Sequence, residues 1–139
     1  MRQTSSSLAD SRRGVAVIEF ALVLPLLALL ALGILGYGQY FLLAHSVQQI
    51  ANDAARATIG GLSAAERVAL ANGTVARELG QMPAVQPGQM SVAVEDAGEL
   101  TIVRLRLDAA THGLFAARIV PMPDPVIERR ATVRQGGIE

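Results

Sequence analysis

Arg12-Arg13-Gly14-Val15-Ala16-Val17-Ile18-Glu19-Phe20 opens an apolar run that continues to about Tyr40. The order of residues is unusual: two cations, a glycine, four small or aliphatic residues, a carboxylate, an aromatic ring, and then no formal charge until Asp53. An ionisable group at membrane depth costs several kcal/mol unless it snorkels or finds a partner. A plain anchor therefore has no reason to carry Glu19 among its first apolar residues.

Upstream, residues 1–14 are polar, with Ser5, Ser6, Ser7 and Asp10 beside Arg2, Arg12 and Arg13, the composition of a disordered leader. Arginines immediately before an apolar span stay on the cytoplasmic side, so the expected topology is N-inside and C-outside. Downstream, residues 15–40 suffice for one crossing at about 20 residues per bilayer. Tyr37 and Tyr40 stand at the outer end, where their rings suit either the interface or a packed core. Pro25 removes a helical donor and is expected to kink the helix, while Gly33, Gly36 and Gly38 thin one region of it. Beyond Tyr40 the pattern becomes amphipathic without a break. Leu43, Val47, Ile50, Ala54 and Ala57 fall on one side, and Gln48, Gln49, Asn52, Asp53 and Arg56 on the other. The spacing predicts one helix over 15–59, about 65 Å long, whose exported part is 41–59.

Residues 60–139 read as a small α+β domain. Gly60-Gly61 stops the long helix, and Ser63-Ala64-Ala65-Glu66 has the form of a capping box that starts a second helix ending at Gly80. Val68, Ala71 or Asn72, Val75 and Leu79 form its apolar stripe. A loop rich in proline and glycine covers 82–88, and strands are expected at 90–95 and 100–107 around a turn at Asp96-Ala97-Gly98. Thr101, Val103, Leu105 and Leu107 alternate with Ile102, Arg104 and Arg106, the period of a half-buried strand. Residues 112–120 form a mixed connection, Pro121-Met122-Pro123-Asp124-Pro125 forbids regular structure, and a last strand covers 126–134. The fold class is α+β: a long N-terminal transmembrane and stalk helix, a second helix, and a small antiparallel sheet packed on the stalk.

Composition narrows the function. Of 139 residues 51% are hydrophobic, and the excess is concentrated in one block. The 12 basic residues, all arginine, balance 12 acidic ones, so no basic field for nucleic acid exists. There is no cysteine, hence no disulfide framework and no thiolate metal site. His45 and His112 lack partners at metal spacing and read as surface or boundary residues. Asp53 with Arg56, and Glu128 with Arg129 and Arg130, read as solvated ion pairs. No catalytic residue, no cofactor and no small-molecule substrate is indicated.

Residues 14–20 resemble the processing signal of the type IV filament superfamily: a basic leader ending in glycine, four mainly hydrophobic residues, glutamate and an aromatic. The continuation Glu19-Phe20-Ala21-Leu22-Val23-Leu24-Pro25-Leu26-Leu27 and the polar helix segment 47–57 are similar to the TadE-like pseudopilins of the tight-adherence (Tad, or Flp) pilus. The resemblance implies a pilin-like fold and a minor pseudopilin, cut by a prepilin peptidase of the inner membrane between Gly14 and Val15. It implies that Glu19, beside Phe20, answers the new Val15 ammonium within its own helix or across to a neighbouring subunit. An ion pair there acts more as a device for register than as a source of stability. Loss of the leader would leave nine arginines against eleven acids, a net charge of −2. The implied partners are the inner membrane, other pseudopilins and the Tad platform proteins, with the C-terminal domain periplasmic. Two alternatives stay open: an uncleaved single-pass anchor with a periplasmic binding domain, and a secreted soluble protein cut near Gly33.

Overall fold

Nothing between Gly14 and Gly60 combines a turn signal with a charge cluster, and the chain accordingly forms one continuous helix, α1 (Ser6–Ala57), of 52 residues. The computed structural model describes residues 6–83 and 85–136, with side chains from Gly14 onward except those of Pro87 and Leu114. The helix begins earlier than the expected Val15, so residues 6–14 are helical rather than loose. A single glycine costs only about 1 kcal/mol in a helix interior, too little to end one that continues into a long apolar run. The first five residues of the expected leader, and the side chains of Arg12 and Arg13, lie outside the described part. The helix passes through Pro25 and ends in a 3-10 turn, Thr58–Gly60, where Thr58 Oγ1 donates to the Ala55 carbonyl at 2.6 Å.

The second helix, α2 (Ala64–Leu79), starts as its sequence dictates. Ser63 Oγ accepts from the Glu66 amide at 3.2 Å, and Glu66 Oε2 accepts in return from the amides of Leu62 and Ser63 at 2.8 and 3.2 Å. Its buried residues are Ala71, Thr74 and Val75, whereas Val68, expected in the stripe, is 40% exposed. Helix α2 lies on α1, on the 3-10 turn that closes it and on β1, and Val68 points away from all three.

Three antiparallel strands follow in the order β1 (Met90–Ala97), β2 (Leu100–Asp108), β3 (Val126–Arg134). The hairpin turn is Gly98-Glu99, two residues later than expected from Asp96, because Asp96 pairs with Thr101 and Ala97 with Leu100. Gly98 has φ +66 and Glu99 does not share a positive φ, the pattern of a two-residue turn with glycine at its first position. In β2 the alternation holds residue by residue: Thr101, Val103, Leu105 and Leu107 are fully buried.

These side chains and Ile127 meet the amphipathic part of α1, on which Leu43, Ala44, Val47, Ile50, Ala51, Ala54 and Ala55 are buried. Four alanines in that set let the helix lie close to the sheet. Burial of each large aliphatic side chain contributes roughly 1.5–3 kcal/mol. Gln48 Nε2 donates to the Arg130 carbonyl at 3.1 Å, tying the polar flank of α1 to β3. Between β2 and β3 the chain leaves the sheet, forms a short helix α3 (Gly113–Ala117) and returns through the prolines. The Ala109 amide donates to the Pro125 carbonyl at 2.9 Å and closes this excursion at its base. Tyr40 packs against Phe115 with ring centroids 6.2 Å apart, so it joins the head. Tyr37 remains 43% exposed.

Candidate functional site

The expected processing and pairing residues all lie on the uncovered part of α1. Gly14, Val15, Glu19 and Phe20 are exposed, as is every described residue from Gly14 to Ala31. On a helix, Val15 and Glu19 are one turn apart, about 6 Å along the axis. Among the described residues Glu19 forms no ion pair. A Cβ added at Gly14 would meet nothing within 4 Å. The fold therefore gives no packing reason for glycine at this position, and its helix propensity argues against it.

Helix α1 is long and apolar enough to cross a membrane, and none of its most apolar stretch is buried. The core helix of a globular protein would be covered. Here Leu22, Leu26, Ile34 and Leu35 are between 63% and 74% exposed. Leaving such surface in water forfeits about 25 cal/mol per Å², which a bilayer restores. A secretory signal's apolar core runs only about 7–15 residues, so the continuous helix suggests a single-pass membrane anchor.

The remaining polar residues stabilise the head. His45 is exposed, as expected of a surface or boundary residue, whereas His112 is buried, with 7% of its surface exposed. It sits at the start of α3, its carbonyl accepting from the Phe115 amide, and the excursion folds over it. Asp53 and Arg56 pair at 3.8 Å as expected. Glu128, however, pairs with Arg104 on the neighbouring strand at 3.6 Å rather than with Arg129 or Arg130. Adjacent residues of a strand point to opposite faces, which removes Arg129, and Arg130 is paired in register with Arg104. Among the described residues no three metal-ligating side chains come together.

One polar cluster was not legible in the sequence. Arg67 of α2 grips Asp96 of β1 with Nη2 to Oδ2 at 2.6 Å and Nε to Oδ1 at 3.1 Å, and its Nη1 donates to the Gly61 carbonyl at 3.1 Å. Thr101 Oγ1 also donates to Asp96 Oδ1, and Gln135 Nε2 donates to Thr101 Oγ1 at 2.6 Å. The hydrogen bonds from Arg67 hold the Asp96 carboxyl below the usual carboxylate range, and the same bonds raise the Arg67 guanidinium. The pair is separated by 29 positions and carries no local signal.

The class of protein is thus a small α+β head on a helix long and apolar enough to cross a membrane. A family model described as TadE-like protein matches residues 14–56, from the glycine of the opening motif to the last turn of α1. Over that segment, less than a third of its 139 residues, the chain is similar to TadE-like proteins. The match ends where the head's own elements begin. No curated protein and no solved structure matches the chain.

Proposed function

We propose that this protein is a minor pseudopilin of a Tad (Flp) pilus, cut by a prepilin peptidase between Gly14 and Val15. It sits in the bacterial inner membrane with its N-terminus cytoplasmic and residues 60–139 periplasmic. Its role is assembly rather than catalysis. The observation that carries this reading is Gly14, a helix-disfavouring residue with no packing role, standing at the start of the TadE-like segment five residues before Glu19. Glycine suits a scissile position because it lets the backbone extend in a protease cleft without a side chain to crowd it. Cutting creates an ammonium on Val15, and Glu19 can neutralise it on the same helix or across to another subunit. Pro25, one and a half turns beyond Glu19, loosens the span where neighbouring helices can repair the lost hydrogen bond. The head is too bulky for the repeating unit of a thin filament, which favours a minor role among other pseudopilins and the inner-membrane platform proteins.

One structural observation favours the alternative of an uncleaved anchor: α1 runs unbroken from Ser6 through Gly14, so a peptidase would have to unwind it locally. Mass and N-terminal sequence of the protein taken from membranes separate the two. A chain beginning at Val15 is expected. An intact Met1, or normal piliation by an uncut Gly14→Leu variant, would sink the proposal. Glu19→Ala should still be cut but should lose co-purification with other pilus components.

A further inference from the structure

The excursion between β2 and β3 reaches down α1 into the apolar segment. Gly113 has φ +43, and a Cβ there would lie 2.5 Å from Gln39 Oε1, so α3 lies directly on the helix at this level. Below it, Val120 and Pro121 face Leu29, Gly33, Ile34 and Tyr37 across an apolar groove of about 440 Å³. The loop thus flanks the helix down to the level of Leu29, while the helix still exposes Phe41 (64%) and Leu42 (68%) a full turn above Tyr37. From Leu29 to Leu42 the overlap is about 20 Å along the axis. Any bilayer that covers the apolar helix up to Leu42 must meet the loop beside it.

Helix length points the same way. Residues 15–42 span about 41 Å, against a hydrocarbon core of about 30 Å, a mismatch relieved by tilting or by drawing flanking structure into the interface. Counted from Val15, the core ends near residue 35, so the groove lies in its outer third. The loop itself is built for that depth. Ile119, 56% exposed, is followed by Val120, Pro121 and Met122, with no charge until Asp124. Asp124 turns back, its Oδ1 accepting from the Val126 amide at 2.8 Å. At the other end Arg118 is exposed and holds φ +50, a conformation that a non-glycine residue adopts at a cost. Its long side chain suits a headgroup phosphate.

We infer that residues 118–121 enter the outer leaflet of the bilayer, with Ile119 among the acyl chains and Arg118 at the headgroups, so that the head stands on the membrane at two points. The occupant of the groove is lipid. This rests on the single-pass reading of α1. The chain lacks cysteine, so Ile119→Cys, Leu26→Cys and Leu62→Cys each introduce one thiol for an environment-sensitive fluorophore. The full chain is placed in vesicles of phosphatidylethanolamine and phosphatidylglycerol, with lipids carrying nitroxide at shallow or deep acyl positions. The label at 119 is expected to emit to the blue, lose most of its emission to shallow nitroxide and resist iodide. The label at Leu62, which is 94% exposed at the far end of the head, should respond only to iodide. If the label at 26 is quenched by deep nitroxide while that at 119 behaves like that at 62, the loop inference alone is overturned. If the label at 26 also escapes lipid quenching, the span and the loop fall together. Blue emission at 119 without lipid quenching would mean that a second copy or another protein covers the groove, which overturns it too.

Discussion

The two halves of α1 share one backbone and differ in what the protein lays over them. From Gly14 to Ala31 the helix is apolar apart from Glu19 and exposed at every residue. From Leu43 to Ala55 it is amphipathic, and its small and aliphatic residues disappear under β2, β3 and α2. An apolar residue therefore says little about burial until its neighbours around the helix are read. A full apolar circumference calls for lipid, and a stripe calls for a protein partner.

This contrast can be broken at several points, beginning with the largest effect. Leu105→Ala, which empties a fully buried site beneath the helix, should destabilise the head by about 2–5 kcal/mol, whereas Leu22→Ala, 74% exposed, should leave it unchanged. Thermal unfolding in detergent micelles, followed by near-ultraviolet circular dichroism, reads both. Equal losses would mean that the two halves are not in different surroundings. Ala51→Leu should overpack the seam between helix and sheet at a cost of about 1–3 kcal/mol, while Ala28→Leu on the exposed half should cost nothing measurable by the same assay. Removing the cap of α2 with Ser63→Ala should cost about 1 kcal/mol, visible as faster amide exchange in its first turn.

The head also carries a pH dependence. Because the folded state lowers the Asp96 carboxyl, its contribution is fully present above the ordinary carboxylate value of 3.8 and is lost as pH falls through the folded-state value. Unfolding midpoints measured across that acid window should fall less steeply in Asp96→Asn than in the unaltered chain; parallel curves would remove the pair from the account. The smallest effect belongs to Arg134 and Glu99, whose side chains meet at 2.6 Å but are 75% and 72% exposed. Glu99→Gln should change stability by less than about 1 kcal/mol, and that little should vanish in high salt.

Local signals were readable wherever the controlling interaction lay within a few residues. The capping box at Ser63 and Glu66, the stop at Gly60-Gly61 and the alternation from Thr101 to Leu107 are of this kind, and each stands as read. Expectations failed where the deciding partner was remote or one-sided. Val68 carries the helical spacing of a core residue, but the small head has nothing to lay over it. Glu128 precedes two arginines, yet strand geometry sends it across to Arg104. His112 stands in a mixed, partly apolar connection with no periodicity to place it, and only the folding of that stretch onto α1 buries it. The motif at Gly14 to Phe20 was fully legible as a pattern, while the bare surroundings of Gly14 needed coordinates.

By itself the sequence determined the long helix, its change from an all-round to a one-sided apolar surface, the cap of α2 and the strands, because these depend on periodicity and on bonds between near neighbours. Only the tertiary structure decided that Arg67 clasps Asp96 and that the loop after α3 descends beside Leu29 and Ile34. Those contacts join residues dozens of positions apart, and the closure of the chain, not any local preference, brings them within reach.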